Sequence, residues 1–142
     1  MITRRELMVA GATAIAVQAT AARAADGAAA AAAPARGVAA AAAECVRTGE
    51  ACLQHCLTLL AGGDKSLGDC AQSVNQMLAI CRAVGPILDA NGPYVRATAQ
   101  LCLAVCTDCE RVCRQHAGRH AICKTCADAC AAAAAAAKPL AA

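Results

Sequence analysis

Twelve cysteines lie on this chain at 45, 52 and 56, at 70 and 81, at 102, 106, 109 and 113, and at 123, 126 and 130. The gaps inside each cluster are 3, 4, 7 or 11 residues. At about 100° per residue those intervals return to nearly one side of an α-helix, so each cluster draws a stripe of thiols along a helix face. Breakers separate the clusters: Gly62-Gly63-Asp64, Asn91-Gly92-Pro93 and Gly118. The segments between them are each roughly 20 residues long and rich in good helix formers. No β-branched alternation suggests a strand. The predicted fold is all-α, an antiparallel four-helix bundle with a cysteine-lined core. Ser66 is expected to cap the second helix, with Asp69 completing an approximate capping box, and Pro93 suits the first turn of the third.

What fills the core follows from what the chain lacks. It has no Trp, no Phe and one Tyr, although 59% of its 142 residues are hydrophobic. Alanine and cysteine must therefore occupy the interior, and such a core buries little apolar area for its length. On the third helix Asp108, Glu110, Arg111 and Arg114 fall opposite or beside the stripe, whereas Val95, Ala99 and Val105 join it.

The start of the chain reads as a leader. Thr3-Arg4-Arg5-Glu6-Leu7-Met8 has the twin-arginine form, a moderately apolar stretch follows from Val9 to Ala22, and Ala22-Arg23-Ala24 has the small-x-small form of a signal peptidase site. Residues 1–24 are expected to be removed on export by the twin-arginine route, to the periplasm or another extracytoplasmic space. The apolar part is too short for a comfortable permanent span, so no membrane anchor is expected in the mature form. Residues 25–43 read as an Ala-rich linker and start of the first helix, and 44–142 as the bundle. Without the leader, 10 basic residues face 9 acidic ones. That balance argues against a nucleic-acid partner.

Twelve thiols exceed what packing explains. Buried cysteine is a small hydrophobe, but that accounts for one or two positions. Disulfides suit an exported chain with an even cysteine count, yet neighbours at i and i+3 or i+4 of one helix have diverging Cβ vectors. Zinc is a further alternative, because Cys106-x2-Cys109 and Cys123-x2-Cys126 are spaced much like a zinc ribbon. A four-ligand site would leave Cys102, Cys113 and Cys130 unused. Thiolate softness favours Cu(I), and bridging sulfurs would raise capacity to the order of one ion per cysteine. A disulfide-stapled helical module and a zinc module stay open beside a multi-ion Cu(I) site. No acid–base pair or activated nucleophile is evident, and no enzyme is expected.

The run Cys45-Val-Arg-Thr-Gly-Glu-Ala-Cys52-Leu-Gln-His55-Cys56, then Cys70 and Cys81, Cys102-x3-Cys106-x2-Cys109-x3-Cys113 and Cys123-x2-Cys126-x3-Cys130 together resemble the copper storage proteins. The resemblance implies a homotetramer of bundles storing many Cu(I) ions per chain through all twelve cysteines, with His55 as a further ligand and a copper enzyme as recipient. Exported members carry methionines near the bundle mouth, where this chain has Leu59, Gly62 and Leu67. Some also have a cysteine late in the last helix, where this chain has Ala131 to Ala137. His55 lies about 80° off its stripe, a flank position. His116 and His120 read as solvated loop residues, and Met77 as core.

Overall fold

In the computed structural model the backbone is described from Arg4 onward and side chains from residue 32 onward. The elements are α1 (Arg4–Ala61), a 3-10 turn (Lys65–Leu67), α2 (Gly68–Asp89), α3 (Val95–His116) and α4 (Ala121–Ala141). No strand occurs among the described residues. The chain divides into two compact units, Met1–Ala33 and Pro34–Ala142. The side chains of the twin-arginine leader and its expected cleavage site lie outside the described residues. Among the described residues no helix is long and apolar enough to cross a membrane.

Short turns make successive helices of the second unit antiparallel, and each turn forms at a breaker seen in the sequence. After α1, Gly63 takes φ 94°, a left-handed conformation open to glycine, and Asp64 N–H reaches back to Leu59 O at 3.0 Å. After α2, Asn91 takes φ 48°, which its short polar side chain tolerates. Two details differ from expectation. Ser66 does not cap α2; it sits inside the 3-10 turn, where its N–H donates to Asp64 Oδ1 at 2.9 Å. The extra turn moves the cap two residues upstream, and Leu67, at the N-cap of α2, offers no side-chain bond. Pro93 precedes the Tyr94 N-cap of α3 and so lies just outside the helix, where its fixed φ shapes the turn.

The core is continuous through the bundle. Val38 and Ala42 are buried on α1 ahead of Cys45, so the Ala-rich stretch contributes to the interior. Leu67, Val74, Met77, Leu78, Val84 and Leu88 supply most of the aliphatic bulk, all from α2 or the turn before it. Met77 is core, as expected. Gly49 permits close approach of α1 to α2, since a Cβ there would meet Met77 Cε at 2.6 Å and Leu78 Cδ2 at 3.0 Å. The other three helices fill the same space mostly with cysteine and alanine, so few large side chains stand between the four sulfur stripes.

Candidate metal centre

Every cysteine is a buried free thiol. Topology places the first stripe's Cys56, the second's Cys70, the third's Cys113 and the fourth's Cys123 at the end of the bundle that carries the turns after α1 and α3. Cys45, Cys81, Cys102 and Cys130 lie toward the other end. Sulfurs from different helices meet: Cys70 and Cys113 at 3.6 Å, Cys81 and Cys106 at 3.7 Å, Cys52 and Cys123 at 3.9 Å, Cys70 and Cys123 at 4.0 Å. Cys109 and Cys113 approach to 3.9 Å along α3. With a metal–sulfur bond of about 2.3 Å, two sulfurs on one ion stand no more than about 4.6 Å apart, so all these pairs fall within reach of a shared ion.

Among the described residues the sulfurs form five groups, each with its ligand atoms within 4.8 Å of one another: Cys52, Cys56, Cys70 and Cys123; Cys52, Cys113 and Cys126; Cys109, Cys126 and Cys130; Cys45, Cys106 and Cys130; Cys81, Cys102 and Cys106. All twelve cysteines take part. Read in that order, each group shares one sulfur with the next: Cys52, then Cys126, then Cys130, then Cys106. The groups are therefore rungs of one ladder. The zinc-ribbon alternative does not assemble: of Cys106, Cys109, Cys123 and Cys126 only Cys109 and Cys126 fall in a common group, and that group is completed by Cys130. A helix cannot fold two Cys-x2-Cys pairs into facing knuckles.

The histidines cluster at the Cys56–Cys123 end. His55 joins no sulfur group; it is half-buried, and its Nε2 lies 3.0 Å from His120 Nδ1 with the rings edge to face. His120 is thus partnered and half-buried, whereas the sequence suggested a solvated loop residue. His116 departs further from that expectation. Its position continues the α3 stripe three residues beyond Cys113, and it is only 7% exposed. Asp69 Oδ1 lies 3.1 Å from its Nε2 and Cys70 N–H donates to the same oxygen at 2.8 Å, while His116 Nδ1 is buried with no partner. Extending the 3-4 spacing past Cys113 would have marked His116, but the Asp69 contact crosses helices and leaves no local pattern.

The sulfurs share protons unevenly. Desolvation by burial pushes Cys56 and Cys123 upward. The thiol of Cys113 holds Cys109 below its ordinary value, and that same contact pushes Cys113 up. Cys70, Cys102, Cys106 and Cys130 are also raised, against Cys45, Cys52 and Cys126 lowered. Raised sulfurs are in the majority. Above a pH of about 8.5 the unfolded chain loses thiol protons that the folded chain keeps, so stability present below that pH is lost as it rises. The metal-free, reduced protein is expected to melt at a lower temperature at about pH 10 than at about pH 8, read by circular dichroism under argon. An unchanged or higher melting temperature would contradict the raised majority.

An all-helical bundle with a connected, buried ladder of free thiols belongs to the class of proteins whose core can hold several soft metal ions. Residues 31–142 match the sequence model of the copper storage proteins, and the chain belongs to that family. It is similar to a solved structure of copper loading to a cytosolic copper storage protein from Streptomyces lividans, with five coppers. The TM-score is 0.69 at 28% identity, covering 76% of this chain and 92% of that one. Comparison with curated protein sequences gives no match.

Proposed function

We propose that this chain is an exported, non-enzymatic store that takes up many Cu(I) ions on its cysteine ladder and yields them to a copper enzyme. The observation that carries this reading is the sharing of Cys52, Cys126, Cys130 and Cys106 between successive groups. A sulfur common to two groups can bridge two ions, and soft thiolates favour Cu(I) with two or three ligands each. The family match and the five coppers of the S. lividans protein support copper as the cargo. No histidine joins a sulfur group, but in the tautomer whose Nε2–H donates to Asp69 the buried Nδ1 of His116 keeps a free lone pair at that end of the ladder. His55 and His120 stand beside the same end and would meet incoming ions first. Export rests on the twin-arginine leader. Assembly into tetramers rests on the family resemblance, and the half-exposed Leu57 and Leu101 offer apolar surface for it.

One group favours a second reading locally. Cys52, Cys56, Cys70 and Cys123 supply the four ligands that zinc prefers. Anaerobic titration of the reduced protein, with a competing chromophoric chelator, separates the two. Cu(I) uptake is expected to plateau at roughly ten ions per chain, and Zn²⁺ at about one. A Cu(I) plateau at one or two ions would sink the storage reading.

A further inference from the structure

The ladder has an opening at its side, away from the histidines. Eleven cysteines are 0% exposed and Cys81 alone is 3% exposed. It lines a surface cavity of about 300 Å³ between α1 and α2, where Ala39, Ala43 and Val46 face Cys81, Arg82 and Gly85. The walls are thin because the facing side chains are small. Arg82, the one charged side chain lining the cavity among the described residues, is paired with Glu50 at 3.0 Å. Cys81 belongs to the last rung, with Cys102 and Cys106. Beyond that rung the bundle is closed by buried Val38, Val84, Leu88, Ala99 and Ala137, which offer no ligand. An ion on the last rung thus faces a dead end along the axis and an opening at its side.

We propose that this window is an exchange port through which a low-molecular-weight thiol reaches Cu(I) on the Cys81 rung. The idea rests on the storage reading for its cargo and on the cavity for its route. The incoming thiol gives up its proton and its thiolate bonds to the ion. Cys81 sulfur leaves the ion and takes a proton, so no electron moves. The cavity is at the small end of ligand pockets, suited to such a molecule and too narrow for a protein segment. Apolar walls and a paired arginine impose little selection by charge, which fits a generic thiol carrier rather than one defined metabolite.

The test reads the window first without metal. Reduced, metal-free protein is treated with limiting iodoacetamide, and the modified cysteines are mapped by mass spectrometry. Cys81 is expected to react about tenfold faster than any other cysteine, because thiol reactivity follows access. Gly85→Leu places a plug in the cavity: a Cβ at Gly85 meets nothing within 4 Å, and leucine is a better helix former than glycine, so the variant folds. It is expected to slow Cys81 alkylation about tenfold and to slow transfer of copper from loaded protein to reduced glutathione. First reaction at Cys56 or Cys123 would overturn the proposal, as would equal Cys81 rates in the two proteins. Unslowed copper transfer in a Gly85→Leu protein whose Cys81 is protected would overturn it too. A chain that binds no Cu(I) would sink the storage reading instead, since the alkylation order is read on metal-free protein.

Discussion

Replacing Cys52, Cys106, Cys126 and Cys130 together with alanine is expected to cut Cu(I) uptake from roughly ten ions per chain to about three or fewer. These are the four shared sulfurs, and their loss breaks all five groups at once. What survives is the trio Cys56, Cys70 and Cys123, with Cys113 and Cys109 strung from Cys70 by single contacts, the pair Cys81 and Cys102, and Cys45. The matched control replaces Cys56, Cys70, Cys81 and Cys102, also four cysteines, and leaves three groups complete. Its capacity is expected to fall only to about six. Each substitution removes one heavy atom from a filled core, on the order of 1 kcal/mol, so helical circular dichroism is the check that both variants fold. The single variants Cys126→Ala and Cys102→Ala carry the same contrast at lower cost. Equal losses in shared and unshared sets would mean that the sulfurs act as independent ligands, and the ladder would then be only a crowd of thiols.

Much of this was readable before any coordinates. The 3-4 spacing identified the helix faces because a helix's rotation per residue is fixed, and glycine and Asn-Gly breakers marked the turns because few other residues take a positive φ at Gly63 or Asn91. Spacing along one helix carries no information about its height and rotation against the next, so it could not tell that Cys52 meets Cys123 or that Cys81 meets Cys106. Register of that kind is set by packing of distant residues such as Gly49 against Met77 and Leu78. The same limit hid the Asp69–His116 contact and the opening at Cys81. Ser66 differs from the sequence reading for a local reason: a 3-10 turn capped by Asp64 precedes α2 and takes Ser66 into itself.

Copper loading is expected to raise the melting temperature by more than about 20 °C while leaving the helical content of the metal-free protein nearly unchanged. The metal-free bundle should fold because its helices carry strong propensity and most of its thiols pack as neutral, weakly hydrophobic groups. Its stability should be modest, with no Trp or Phe in the chain and most core positions outside α2 filled by alanine or cysteine. Each ion held at 100 times its dissociation constant adds about 2.7 kcal/mol by mass action. Several ions therefore outweigh the whole stability of a typical domain, about 5–15 kcal/mol. Every rung joins cysteines from at least two helices, so the added free energy resists separating the bundle rather than one helix from solvent. The variant lacking the four shared sulfurs should gain far less on loading, and the matched control should fall between. A metal-free chain with a coil-like spectrum that becomes helical only on adding Cu(I) would refute the preformed ladder, because the sulfurs would then be gathered by the metal instead of by the fold.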